Sequence, residues 1–169
     1  MAKVAFLLAK NYEDSEMKVP YEAVKEAGHE TTIVGLEKGA VCEGKKGTVS
    51  YTTEVAVADV NGNDFDAVII PGGSAPEALR VNEDVVRFTK ELNSQNKLIA
   101  GICHGPQVMI SADVLKGKTA TSFIGIRDDL KLAGAEYKDE EVVVSENIVT
   151  SRTPKDEPAF VREILAKLS

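Results

Sequence analysis

Short unbroken apolar runs alternate along this chain with longer stretches in which apolar residues recur every three or four positions. The runs at 3–9, 31–34, 67–70 and 97–102 are too short for core helices and are bounded by Gly, Pro, Asn or Asp, so each predicts a buried strand. Between them Val19, Ala23, Val24 and Ala27 recur at helical spacing, which predicts a helix leading out of the loop 11–16, with Pro20 in its first turn or two and Gly28 as its C-cap. A second helix, capped by Asn82, carries Val85, Val86, Phe88 and Leu92 on one face. Further along the pattern predicts a helix from Pro106 to about Leu115, a short strand at 119–122 and a helix 126–133 closed by Gly134. A hairpin follows, 141–144 with 148–151 about Ser145-Glu146-Asn147, and then a last helix over about 156–168. Segment 39–47, rich in glycine and lysine, reads as a surface loop or hairpin carrying an accessible Cys42; 48–57 adds one or two short strands, and 59–64 is a connector. Strands alternating with helices imply an α/β fold with a mostly parallel sheet covered on both faces, and 1–169 forms a single domain without repeat or linker.

In an open sheet of this kind the ligand crevice lies beyond the carboxyl ends of the strands, where strand order reverses. Three of the predicted strands end in polar or glycine-rich loops that can converge there: 11–16, 72–77 and 103–105. The run Leu98-Ile99-Ala100-Gly101-Ile102 stops at Cys103, and His104-Gly105-Pro106 opens the next helix, so the cysteine occupies a sharp strand-to-helix turn. Facing the positive end of a helix, its sulfur is expected to be a thiolate and a nucleophile. The backbone N–H groups of Gly72-Gly73 and His104-Gly105 are available to hold an oxyanion. His104 is the better placed of 2 histidines, because His29 follows a helix C-terminus at the opposite end of a strand. Glu77 and Glu13 are the loop carboxylates that could orient its ring.

Charge narrows the field. A net charge of −7, with no Lys/Arg cluster, argues against a nucleic-acid surface. The apolar start 4–9 is too short to span a membrane and lacks a signal-peptide cleavage pattern. With 2 cysteines and no leader, a reducing cytoplasm is the expected setting, in which Cys103 stays a free thiol. Two histidines and two cysteines without ligand spacing give no metal site, and no cofactor is implied.

Five segments, AKNYEDSE at 9–16, IPGGSAPE at 70–77, GICHGPQ at 101–107, GIRDDL at 125–130 and VTSRTP at 149–154, together resemble the PfpI family of the ThiJ/PfpI superfamily, in order and essentially end to end. The resemblance implies a flavodoxin-like, doubly wound sheet of the class I glutamine amidotransferase kind, with Cys103 as elbow nucleophile. It implies that Glu13 is a protonated carboxyl bonded to the thiolate and that His104 belongs to a triad. It also implies that Glu77 reaches that histidine from a neighbouring subunit, in a homo-oligomer, dimer or hexamer. Phe123, counted with Gly72 and Gly73 among the residues around the substrate, stands where several PfpI proteases carry a tyrosine.

Three functions compete on these residues. One is hydrolysis of a peptide or amide by Cys103. Another is attack of Cys103 on small reactive carbonyls such as methylglyoxal, or on their early protein adducts, as in glyoxalases and deglycases. The third is non-enzymatic: a redox-sensing or chaperone-like stress protein whose Cys103 is oxidised to sulfinic acid. A glutamine amidotransferase is set aside, since no histidine follows His104.

Overall fold

In the computed structural model, which describes residues 1–169, the chain runs β1 (Lys3–Leu7), α1 (Asp14–Glu26), β2 (Glu30–Gly35), β3 (Val41–Glu43), β4 (Ser50–Thr52), β5 (Val55–Ala56), β6 (Ala67–Ile70), α2 (Ala75–Arg80) and α3 (Glu83–Ser94). It continues through β7 (Leu98–Ile102), α4 (Pro106–Ser111), β8 (Thr119–Ala120), α5 (Arg127–Leu132), β9 (Glu136–Tyr137), β10 (Val142–Ser145), β11 (Ile148–Ser151) and α6 (Glu157–Leu168). Seven strands form one sheet in the order β10-β11-β7-β6-β1-β2-β5. Every pairing is parallel except that of β10 with β11. The chain leaves β1 towards β2 on one side and returns through β6 on the other, so strand order reverses between β1 and β6.

The continuous apolar character of the central strands follows from coverage on both faces. Every residue of β6 and β7 is buried, as is β1 after Lys3, and these strands sit in one cluster of 40 buried hydrophobic residues that α1, α3 and α6 close with Met17, Phe88 and Phe160. This is the mostly parallel α/β sheet with helices on both faces that the sequence pattern predicts. None of the helices is long and apolar enough to cross a membrane.

Three local features differ from the sequence reading. α4 stops at Ser111 rather than near Leu115, because Asp113 adopts φ +56°, a left-handed conformation that ends a helix. The turn after β6 continues into α2, which starts on the Ala75-Pro76 pair. Cys42 is buried at 3 % exposure, not accessible: β3 pairs with β4, and its middle residue points inward. His29 lies at the amino-terminal end of the sheet, where its Nδ1 accepts the Ala2 N–H at 3.0 Å.

Asn82 caps α3 as predicted, its side chain accepting the N–H groups of Asp84 at 2.9 Å and Val85 at 3.1 Å. Asn82→Ala is expected to lower the unfolding free energy by ~1 kcal/mol in urea titration, and Asn82→Gly by only a few tenths.

Candidate active site

Loops beyond the carboxyl ends of β1, β6 and β7 meet at the reversal of strand order, around Cys103. Its backbone has φ +62°, a conformation costing a non-glycine residue ~1–3 kcal/mol. The neighbours hold it there: Cys103 N–H donates to the Ser151 carbonyl at 3.0 Å, and its own carbonyl accepts the Phe123 N–H at 2.9 Å. A Cβ at Gly105 would run into the Ile70 carbonyl and come within 3.0 Å of Ile102 N and O, so only glycine fits the second half of the turn. The elbow is therefore a strained residue clamped by β11 on one side and the loop after β8 on the other.

Glu16, not Glu13, is the carboxyl beside the sulfur. Its side chain projects from the first turn of α1, is 0 % exposed, and accepts the Gly72 N–H at 2.9 Å through Oε1, while Oε2 is buried without a partner. A Cβ on Gly72 would strike both Glu16 Oε1 and, at 2.9 Å, Cys103 Cβ, so Gly72 is the narrow gap between acid and thiol. Burial raises the Glu16 carboxyl to about 8, against the bond from Gly72, so at neutral pH it keeps its proton. Glu13 is the reverse case. Burial alone would raise it, but Lys46 Nζ at 2.7 Å from Oε1 and Lys45 Nζ at 2.8 Å from Oε2 outweigh that and hold its carboxyl below the usual value. The protonated acid expected at Glu13 thus sits one helical turn further on.

The thiolate expectation is also reversed in direction. Burial above all pushes the Cys103 thiol up to about 12, and Glu16 adds to this once it is ionised; the His104 N–H and the Lys45 ammonium pull it down. α4, with only six residues, does not offset the lost hydration. The resting sulfur is a thiol whose proton must be drawn off when substrate arrives. His104 is placed to take it: Nδ1 lies 3.4 Å from Sγ, and the ring stacks on Phe123 with centroids 4.8 Å apart and planes 27° from parallel. Burial and Lys45 lower the imidazole from its ordinary value, against the pull of Glu77, leaving it neutral and able to accept a proton.

Two of the four predicted oxyanion donors are already used. Gly72 N–H is taken by Glu16 and Gly105 N–H by the Ile102 carbonyl at 2.8 Å. Gly73, whose φ of +81° lets it pack against the backbone of residues 11–13, has an N–H without a partner, and the His104 N–H faces the sulfur. Glu77 is exposed at the start of α2 and makes no hydrogen bond to His104 within the chain.

Glu13, Glu16, Gly73, Glu77, Cys103 and His104 line one cleft of about 550 Å³, whose walls also include Lys45, Gln107 and Phe123. Sequence reasoning missed Glu16, Lys45 and Gln107, the last with a buried, unpartnered Oε1. The i, i+3 pairing of Glu13 and Glu16 gave no signal of which carboxyl points inward, and Lys45 reaches the cleft only because β3 and β4 fold back over α1. A concavity of about 630 Å³ around Asp66, Lys97 and Asn147 lies at the other end of the sheet and holds no nucleophile. Nowhere do three His, Cys, Asp or Glu side chains gather as a metal site.

Residues 2–167 match the sequence model of the DJ-1/PfpI family. General stress protein 18 of Bacillus subtilis is 48% identical over 167 residues, 98% of this chain and 97% of that protein. Deglycase PfpI of Pyrococcus furiosus is 47% identical over 166 residues, 98% of this chain and 99% of that one. Among solved structures, a two-domain protein of Anabaena variabilis with DJ-1/ThiJ/PfpI-like and ferritin-like domains superposes with a TM-score of 0.97 at 43% identity, covering 99% of this chain and 48% of that chain. This chain therefore spans about half of that protein. With a strained cysteine elbow at the strand reversal and matches that run end to end, the chain belongs to the DJ-1/PfpI family.

Proposed function

We propose that this protein is a cytoplasmic enzyme in which Cys103 adds to small reactive carbonyl compounds, 2-oxoaldehydes such as methylglyoxal and their early adducts with amines. The observation that carries this reading is the pairing of Cys103 with the buried, protonated Glu16 in a cleft of about 550 Å³. The name of the Pyrococcus furiosus relative, a deglycase, supports it.

His104 Nδ1 takes the thiol proton as the sulfur attacks the aldehyde carbon. A C–S bond forms, and the C=O π pair moves to oxygen. The alkoxide lies against the N–H groups of Gly73 and His104, then regains the proton from the imidazolium to give a hemithioacetal. For a 2-oxoaldehyde, Glu16 in its ionised form takes the proton from the sulfur-bearing carbon and returns it to the neighbouring carbonyl carbon, while the hydroxyl proton of the hemithioacetal passes to the oxygen of that carbonyl. This converts the hemithioacetal to a 2-hydroxy thioester, and water then splits the C–S bond and releases a 2-hydroxy acid and the free thiol. One water is consumed and no external oxidant is needed. A carboxyl that titrates near 8 can serve in both protonation states around neutrality. Phe123 offers a ring rather than a hydroxyl beside His104, so it packs the histidine and donates no proton to a leaving amine.

Two incubations test the reading: methylglyoxal, with the 2-hydroxy acid measured, and a fluorogenic peptide. Release of the hydroxy acid with the peptide intact is the expected result. Cleavage of the peptide without loss of aldehyde overturns it. Turnover of neither, with mild peroxide adding two oxygens to Cys103, replaces it with the redox-sensor reading. Exposed Glu77, unbonded to its own His104, is further proposed to orient the histidine of an adjoining copy in a homo-oligomer. Glu77→Ala is then expected to cut turnover ~10-fold or more while leaving the melting temperature unchanged, and a fully active variant removes the shared triad.

A further inference from the structure

The turn between β3 and β4 enters the active site with one residue, Lys45, and what sets its position is a buried carboxylate that plays no part in the proposed chemistry. Asp14, 4 % exposed, follows the N-cap of α1 and accepts four hydrogen bonds from that turn. Lys46 N–H binds Oδ1 at 2.9 Å; Thr48 N–H at 2.8 Å, Thr48 Oγ1 at 2.7 Å and Val49 N–H at 3.3 Å bind Oδ2. Four more bonds tie the residues just before α1 to β3 and its turn: Asn11 N–H to the Glu43 carbonyl at 3.0 Å, Lys45 N–H to the Tyr12 carbonyl at 2.9 Å, and Tyr12 OH to the carbonyls of Cys42 at 2.9 Å and Val49 at 3.3 Å. A Cβ at Gly44 would land on the Asp14 carboxyl, so the turn is shaped around that group. A short exposed turn makes few bonds of its own, and this one keeps only Gly44 N–H to Val49 O and Gly47 N–H to Gly44 O. Its geometry is dictated from α1.

We propose that Asp14 is a positioning residue: it fixes the β3–β4 turn so that the Lys45 ammonium stands in the cleft wall with Cys103, and through Lys45 it sets how readily the thiol gives up its proton. The titratable groups around Cys103 are Glu13 at the N-cap of α1, Glu16 in its first turn, Lys45 from the turn, His104 from the elbow and Glu77 from α2. Among them Lys45 is the one ammonium, so its placement is the chief favourable charge for a developing thiolate. Lys45 Nζ, 2.8 Å from Glu13 Oε2, is also part of the pair that keeps Glu13 ionised. If the turn slips, both effects are lost together. The inference deepens the reading of Cys103 as the reacting thiol.

The test reads the thiol and not turnover, so its failure is distinct from failure of the carbonyl chemistry. Alkylation of Cys103 by iodoacetamide is followed against pH in the full chain, with Cys103 and Cys42 resolved by peptide mass spectrometry. Lys45→Ala is expected to slow alkylation roughly threefold to tenfold at every pH from 7 to 9, a range below the thiol's own titration where the rate follows the thiolate fraction. Asp14→Asn, which keeps the shape and halves the acceptors, is expected to slow it in the same way. The double variant should fall no further than Lys45→Ala alone, since both changes act through one ammonium. A rate unmoved by either single variant, or strictly multiplicative losses, overturns the proposal. If Asp14→Asn does not fold, Thr48→Val decides in its place. It removes one bond to Asp14 and leaves the carboxylate, so a small loss of rate supports the role, and a lowered melting temperature with an unmoved rate refutes it.

Discussion

Cys103→Ser is expected to lower the rate of 2-hydroxy acid formation from methylglyoxal at least ~1,000-fold, while moving the melting temperature by no more than a few degrees. The exchange is nearly isosteric at an elbow fixed by backbone bonds to Ser151 and Phe123, so the fold has little reason to change. The chemistry changes completely. A serine hydroxyl is a far weaker acid than a thiol, and the one basic group at hydrogen-bonding range, His104 Nδ1 at 3.4 Å from Sγ, is depressed by burial. A thousandfold loss corresponds to ~4 kcal/mol in the barrier, the scale expected when a nucleophile is removed and only binding and oxyanion donors remain. The measurement is a steady-state rate under saturating aldehyde. A variant that kept more than a tenth of the wild-type rate would show that the sulfur does not form the bond.

Much of the scaffold was legible because its signals are local. Unbroken apolar runs gave the buried strands, the Asn82 cap and the Val85, Phe88 and Leu92 stripe gave α3, and the apolar run broken at Cys103 gave the elbow. What could not be read depends on contacts between distant segments. Cys42 reads as a surface residue because its neighbours are glycine and charge, yet pairing of β3 with β4 and the cover of Tyr12 bury it. Glu13 and Glu16 look alike in sequence. Which one is neutral is decided by Lys45 and Lys46, some thirty residues away, and by the Gly72 N–H. The ionisation of Cys103 is hidden from the sequence for a related reason. A helix start after a cysteine is visible in the residues, but the depth at which the sulfur lies is not, and here burial outweighs the helix end.

Glu16→Gln is expected to reduce turnover by about two to four orders of magnitude and, at the same time, to make the protein more stable relative to wild type as pH rises. The amide keeps an oxygen for the Gly72 N–H, bonded at 2.9 Å in the wild type, so packing is preserved; what disappears is the titration. In the unfolded chain this carboxyl ionises near 4.5, whereas in the folded protein it holds its proton to about 8. Between those values the native state binds more protons than the unfolded state, so wild-type stability declines with increasing pH through that window and levels off above it. Each pH unit inside it is worth up to ~1.4 kcal/mol. From pH 6 to pH 8 the unfolding free energy of Glu16→Gln is therefore expected to gain up to ~2–3 kcal/mol on wild type, read from urea titrations at the two pH values. Glu157, raised mainly by burial and bonded to Ser15 at 2.6 Å, titrates in the same direction but is common to both proteins and cancels in the difference. Asp14, whose carboxyl is held at about 2, completes its titration below the window. Parallel curves would mean that Glu16 is already ionised at pH 6, and the protonated carboxyl that the proposed function sets beside Cys103 would be gone.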